Sequence, residues 1–425
     1  MIWRLVYRLL LWLALPWALL HLWWRGRRQP AYREHVAERF GWYPERARRP
    51  LIWLHAVSVG ETRAAEPLLR ALAARYPGHE LLLTQMTPTG RDTARQLFGD
   101  ATTVAYLPYD YPAAVARFLA HFRPSLGILM ETEIWFNLID ACARQGVPLL
   151  LANARLSEQS ARGYAWVAPL TRAALGRLAA ICAQTRADAE RLERLGAHGV
   201  EVTGNLKFDV EIAPRLLQLG AELKQRIGPR TVLLAASTRA GEEELVLDAF
   251  ARIGVEGLLL LLVPRHPQRF DEVAALLQQR GLSYARRSAD RALAPECRVL
   301  LGDSMGEMAA YYAACDLAFI GGSLLPLGGQ NLIEACAAGR PLLFGPHMYN
   351  FAEASRLALE AGAAIEVADA AALAQRAEQL LRDRAALARM AQAALEFSRS
   401  HRGATARNLA ICTRLLEQRG REILS

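Results

Sequence analysis

The sequence predicts an α/β protein of two doubly wound parallel-sheet domains behind an N-terminal apolar helix. Three observations carry that prediction. The chain has 425 residues and a mass of 47.0 kDa, more than one ordinary hydrophobic core organises, so two domains are expected. From Leu51 onward, short apolar runs alternate with segments rich in Ala, Arg and Leu, the pattern of a parallel sheet with helices on both faces. The alternation stops at a polar stretch, Asp209 to Gly228, and then starts again.

The first element is the run Leu9 to Trp24, LLLWLALPWALLHLWW. Only His21 in it can carry charge; Arg4 and Arg8 precede it, and Arg25, Arg27 and Arg28 follow. A bilayer crossing takes roughly 17 to 25 apolar residues, so the run is marginal for crossing but long enough to enter a membrane. No small-residue cleavage signal follows, which favours a retained signal-anchor over residues 1–28 rather than a removed secretory peptide. Trp12, Trp17, Trp23 and Trp24 suit the headgroup boundary, and the arginines downstream predict that the bulk of the chain stays cytoplasmic. The alternative is a buried first helix of the globular fold. Arg33, Arg39, Arg46, Arg48 and Arg49 extend the basic character toward an anionic lipid surface.

In the first domain, residues 29–208, the strand-like runs are LIWLHAV, ELLLTQM, TTVAYL, SLGILME, VPLLLAN, LAAICAQ and VEVTG. In the second, residues 229–425, they are TVLLAAS, GLLLLLV, CRVLLGD, DLAFIGG, PLLFGP and AAIEV, with residues 209–228 as the interdomain linker. Ala368 to Leu424 reads as helices of the second domain, and a return of the last of them onto the first lobe stays open. There is no short tandem repeat and no low-complexity tract.

A composition of 52% hydrophobic and 22% charged residues excludes both a disordered chain and a wholly membrane-embedded one. The net charge of +9 suits an anionic partner, whether nucleic acid, a phosphorylated substrate or an acidic membrane. Cys142, Cys182, Cys297, Cys315, Cys336 and Cys412 are scattered, with no CxxC pair. Reduced, packed thiols in a cytosolic compartment follow.

In doubly wound sheets ligands bind beyond the carboxyl ends of the strands, so the loops there hold the candidate chemistry. SVGE places Glu61 in the first turn of a helix. A carboxylate there either complements the helix dipole, worth about 0.3–1 kcal/mol, or acts as a general base on an attacking hydroxyl. METEIW supplies Glu131 and Glu133 after another strand, as helix caps or as catalytic groups. The absence of DxD, HExxH or a histidine cluster disfavours metal binding. TGNLKFD sets Lys207 where a phosphate or carboxylate would meet it. In the second half, VPRHPQRF carries Pro264, Arg265 and His266; LGDSMGEM carries Met305, Gly306 and Glu307. FIGGSLLPLGGQNLIEACAAG holds two glycine pairs before Asn331, Leu332, Ile333 and Glu334. Glycine loops that enter helices present backbone N–H groups to an anion. No Walker lysine motif, GxSxG elbow or early GxGxxG is present, which weighs against an ATPase, an α/β hydrolase and an NAD enzyme. A base in one lobe and a nucleotide site in the other predict group transfer.

The segments HAVSVGE, TPTG, LPYD, METE, ANARLS, TGNLKFD, VPRHPQRF, GDSMGE, GGSLLPLGGQNLIEA and FGPHMYNF, in that order, closely resemble the 3-deoxy-D-manno-octulosonic acid (Kdo) transferases of Gram-negative bacteria. The resemblance implies the GT-B architecture of two facing Rossmann-like lobes, a CMP-Kdo donor, and a lipid A precursor as acceptor at the cytoplasmic face of the inner membrane. It places the catalytic base on Glu61 and the stabilisers of the transition state on Glu131 and Lys207. CMP-Kdo contacts fall on Pro264, Arg265, Met305, Gly306, Glu307, Asn331, Leu332, Ile333 and Glu334. At Leu332 the chain departs from the family pattern, which has proline after the asparagine.

The implied reaction is an inverting, metal-independent transfer with no cofactor and no nucleic-acid partner. The competing classes are another GT-B enzyme, a UDP-sugar transferase or epimerase, and a membrane-anchored nucleotide-binding scaffold. Thermal protection by CMP rather than UDP separates the first, and loss of turnover with retained binding in Glu61→Gln separates the second. The number of Kdo units added and the oligomeric state stay open.

Overall fold

Parallel strands buried on both faces organise the chain. The structure is a computed structural model that describes residues 2–44, 50–289 and 293–424; Arg46, Arg48 and Arg49 of the expected basic extension lie outside them. The chain separates into two units, Met1–Asp209 with Arg402–Ser425, and Val210–His401.

The first unit holds β1 (Leu51–His55), β2 (Glu80–Gln85), β3 (Thr103–Tyr106), β4 (Leu126–Met130), β5 (Leu149–Ala154), β6 (Ala180–Ala183) and β7 (Val200–Val202). Their order is β3-β2-β1-β4-β5-β6-β7 and every pairing is parallel. In β1, Leu51 and Trp53 enter one core layer with Leu82, Phe118 and Leu151. Ile52 and Leu54 enter the other, with Leu68, Leu69 and Ile128. A strand covered on both faces is apolar at every position, which is why these segments read as continuous runs.

The second unit holds β8 (Val232–Thr238), β9 (Leu259–Pro264), β10 (Tyr284–Arg286), β11 (Val299–Leu301), β12 (Leu317–Ile320), β13 (Leu342–Phe344) and β14 (Ala364–Glu366). They run parallel in the order β10-β11-β9-β8-β12-β13-β14. Every strand-like run read from residues 51–367 forms a strand. The strand that sequence patterning misses is β10, a three-residue sheet edge of half-buried Tyr, Ala and Arg with no apolar run to mark it.

Three expectations are corrected. The polar stretch 209–228 is largely a helix, Pro214–Ile227, of the second unit. It buries Leu223 and Ile227, and a Cβ on Gly220 would come within 2.7 Å of the Ala310 carbonyl oxygen. The last helix, Ala404–Leu424, belongs to the first unit rather than to a domain of residues 229–425. Ile411, Cys412 and Leu415 complete the core layer of Leu68 and Leu69. Asp209 fixes its start: the carboxylate accepts from Gly403 N at 2.6 Å and from Thr405 N. Finally, Arg39 is no surface cation. It is 2% exposed, stacks 4.1 Å from the Tyr106 ring and donates to Met86 O.

The helix Ile2–Arg28 is apolar and long enough over Ile2–Arg27 to cross a membrane. Among its described large apolar side chains only Leu22 is buried, so it is not a core helix. All six cysteines are buried and unbridged; burial pushes the Cys142 and Cys336 thiols up to about 12, so they pack rather than react.

Asp209→Ala removes the group that satisfies two N–H donors at the start of the last helix. A loss of about 1–2 kcal/mol is expected, read as a lower urea midpoint with an unchanged slope.

Candidate functional site

In the first unit the strand order reverses between β1 and β4, and the loops at their carboxyl ends diverge there. Ser58 caps the helix Val59–Arg75: its hydroxyl accepts from Glu61 N at 3.3 Å and donates to Glu61 Oε1 at 3.0 Å. Glu61 reaches back, and its Oε2 accepts from Val57 N at 2.8 Å. This reciprocal arrangement is a capping box shifted by one residue. The two readings of Glu61 therefore coexist: it caps its helix, and it stands at the switch point of the sheet.

Glu131 follows β4 in the left-handed region, φ 56°, held by its N–H to Ala152 O at 2.9 Å. That conformation is uncommon for a residue with a Cβ. Lys207 Nζ lies 2.7 Å from Glu131 Oε1, and both side chains are only partly exposed. The turn Leu206–Phe208 that delivers Lys207 is held by Asn153, whose Oδ1 accepts from Leu206 N at 2.9 Å. Asn153 itself has φ 53° and is fully buried. Sequence reasoning quotes it within ANARLS without a role; asparagine, which tolerates positive φ, directly after a buried strand run is the signal that would have found it.

Glu133 completes a group of three carboxylates. Burial, opposed by a 2.6 Å hydrogen bond from Trp135 Nε1 and assisted by the charges of Glu61 and Glu131, pushes its carboxyl up to about 7. Burial also raises Glu61, with the Val57 N–H and Lys207 pulling down and Glu131 pushing up. Glu61 and Glu133 thus hold their protons to higher pH than isolated carboxylates do. Beneath it His55 is wholly buried, its imidazole pushed down to about 3 by burial, and packs as a neutral group against Thr84. Among the described residues, no three His, Cys, Asp or Glu side chains stand where they could share a metal ion.

In the second unit the order reverses between β8 and β12. The loop after β12 carries both glycine pairs, with positive φ at Gly322, Gly328 and Gly329. Glu242, 0% exposed at the start of the helix Glu242–Arg252 after β8, clamps it. The carboxylate accepts from Gly322 N at 2.5 Å, Ser323 N at 2.9 Å and Leu324 N at 3.0 Å. Sequence reasoning missed Glu242, because a glutamate at the first position of a helix looks the same whether it faces solvent or a loop.

Asn331 Oδ1 accepts from Ile333 N at 3.0 Å, and its Nδ2 donates to Glu334 Oε1 at 3.1 Å. Asn331 and Glu334 stay half-buried, whereas Leu332 and Ile333 turn into the core at 0% and 2% exposure. Leu332, with φ −93° and ψ −14°, lies in the right-handed region open to any L-residue, so its backbone is unstrained. Ser304 and Arg287 hold Glu307, at 2.7 and 3.3 Å, beside Gly306 at φ 77° and an exposed Met305. Pro264 is buried and Arg265 exposed at the end of β9. His266 next to it is pushed down by burial and then by Arg239, Arg265 and Arg269, which marks a positive field over this loop. The helices that follow the two glycine loops, Met308–Ala314 and Ile333–Ala337, are short, so loop N–H groups rather than long helix dipoles are what these loops can offer an anion.

Two parallel-sheet units with chemistry at both switch points define the GT-B class of glycosyltransferases. The fold of a glycosyltransferase from Rickettsia africae matches over 87% of this chain and 99% of its own, with TM-score 0.56 and 14% identity. Residues 278–397 match the family described as glycosyl transferases group 1. More specifically, residues 34–210 match the family 3-deoxy-D-manno-octulosonic-acid transferase (kdotransferase). The 3-deoxy-D-manno-octulosonic acid transferase of Bordetella pertussis is 47% identical over 96% of this chain and 98% of its own. That of Haemophilus influenzae is 37% identical over 98% and 99%. The chain belongs to the Kdo transferase family.

Two outcomes follow. Glu133 binds a proton in the folded state that it releases near pH 4.5 when unfolded, so the folded protein loses stability as pH rises through about 7. Glu133→Gln, which cannot ionise, raises the melting temperature relative to wild type at pH 8, with the gain fading toward pH 4.5. Glu242→Gln puts an amide NH₂ among backbone donors and lowers the stability of the second unit by roughly 1–3 kcal/mol, measurable by thermal unfolding.

Proposed function

We propose that the enzyme transfers Kdo from CMP-Kdo to a lipid A precursor, the tetraacyl disaccharide bisphosphate, with inversion and with Glu61 as general base. The observation that carries this is the Glu61 carboxylate. It is raised by burial, held by Val57 N and Ser58, and set at the β1–β4 switch point in a chain of the Kdo transferase family. A raised carboxyl is a stronger base than a free one.

In the proposed step, a hydroxyl oxygen of the distal glucosamine forms a bond to the anomeric carbon of Kdo. The bond from that carbon to the CMP phosphate oxygen breaks, CMP leaves with the electron pair, and the hydroxyl proton passes to Glu61. Attack opposite the leaving group inverts the configuration and needs no sugar–enzyme intermediate. Glu131 and Lys207, paired at 2.7 Å, stabilise the charge that develops in the transition state. Arg265, the loop N–H groups around Met305, Gly306 and Glu307, and the turn Asn331 to Glu334 hold CMP-Kdo; at Leu332 and Ile333 the contact is through backbone, since both side chains are buried. A leaving group with one phosphate is balanced by these groups without a metal ion. The acyl chains of the acceptor place the reaction at the inner membrane, catalytic units on the cytoplasmic face, with the apolar helix Ile2–Arg28 as anchor.

The test is CMP release by the purified enzyme in detergent, with CMP-Kdo present and the acceptor supplied or omitted. Release that depends on acceptor, survives chelators, and falls about 10²- to 10⁴-fold in Glu61→Gln is expected. The variant retains thermal protection by CMP. Release without acceptor dependence, or a variant at full rate, overturns the reading.

A further inference from the structure

The helix Ile2–Arg28 is tied to the first unit along one face. Arg4 Nη1 lies 2.8 Å from Asp140 Oδ1; Tyr7 Oη donates to Asp110 Oδ2 at 2.9 Å and Arg8 Nε to Asn137 Oδ1 at 3.3 Å. Tyr111 Oη donates to Leu11 O at 2.6 Å. At the other end Arg33 Nη2 donates to Trp23 O at 3.1 Å, and the chain then enters the unit at Glu38, which pairs with Arg91 at 2.6 Å. Positions 4, 7, 8 and 11 share one side of a helix. The opposite side presents Val6, Leu9, Leu13, Trp17 and Leu20, between 41% and 67% exposed. This polarity is the reverse of a soluble surface helix. A helix tied to the unit through positions 4 to 11 of its polar side turns its apolar stripe away from the unit, where one leaflet would meet it.

Asp140 is the anchor point, and it is outnumbered. Its side chain is 4% exposed, and three guanidiniums from three elements pair with it. Arg4 comes from the N-terminal helix, Arg144, at 2.9 Å, from Phe136–Arg144, and Arg177 from the turn after Ala168–Leu175. One carboxylate cancels one of three charges. Burial, and then the nearby Arg4, lower the Arg177 guanidinium. The Arg144 and Arg177 side chains stay 60% and 37% exposed, able to take another anion. A planar guanidinium fork matches a phosphate, and Arg4 joins this cluster to a helix whose opposite side is the apolar stripe that acyl chains would cover.

We propose that Arg4, Arg144 and Arg177 around Asp140 form a headgroup site for the phosphate of an anionic glycerophospholipid, which seats the N-terminal helix flat on one leaflet. The proposal rests on the membrane reading of that helix and is tested so that the two fail separately. The full chain is floated with vesicles of phosphatidylcholine alone or mixed with phosphatidylglycerol. The wild type is expected on both, and more tightly on the anionic ones. Arg144→Ala with Arg177→Ala is expected to keep neutral-vesicle binding and to bind anionic vesicles about 10- to 30-fold more weakly. Arg144→Lys with Arg177→Lys retains most of the anionic preference. Arg144→Glu, at the more exposed position, replaces the alanine pair if that pair fails to fold. Equal wild-type binding to both vesicles, or equal losses on both in the variant, overturns the headgroup site. A wild type that floats with neither overturns the membrane reading itself.

Discussion

The rest of the structure depends on one constraint: parallel strands buried on both faces leave only their ends free to carry polar chemistry. In the first unit every position of β1, β4 and β5 is buried, so Glu61 and Glu131 can stand only where those strands stop. The reversal of strand order between β1 and β4 then separates the loops and opens the space between them. The same constraint in the second unit puts the glycine loop after β12 next to Glu242 after β8. The candidate groups stand at strand ends, whereas the strands themselves are mostly apolar.

A second theme is how carboxylates of similar local context divide between structure and chemistry. Glu61, Asp209 and Glu242 all accept backbone N–H groups at the start of a helix or a loop. Glu242 is 0% exposed and saturated with donors, so its charge is spent on the loop. Asp209 is likewise committed to the last helix. Glu61 has the Val57 N–H and the Ser58 hydroxyl, and its further neighbours are a like charge on Glu131 and an opposite charge on Lys207. Its proton affinity is set by a balance of competing influences, the condition under which a carboxylate can both hold a helix and exchange a proton.

The N-terminal helix shows hydrophobic patterning overruled by tertiary contact. From composition it reads as a span or an anchor, because nothing local distinguishes the two. The contacts of Arg4, Tyr7 and Arg8 with the first unit turn its few polar residues inward and its tryptophans and leucines outward.

Strand identity was legible in the sequence because two-sided burial demands continuous apolar runs, and the place of Glu61 in a first helical turn and the glycine pairs were legible because helix starts and positive φ demand particular residue types. By itself the sequence also determined the family, through ordered motifs carried on those same strand ends. Only the tertiary structure decided which buried polar groups work together. Asn153 behind Lys207, Glu242 behind Gly322, the last helix on the first core and Asp140 beside Arg4 and Arg177 are all pairings of residues far apart in the chain. They rest on charge and hydrogen-bond complementarity across packed elements, a condition that leaves no periodicity and no local composition for a one-dimensional reading to detect.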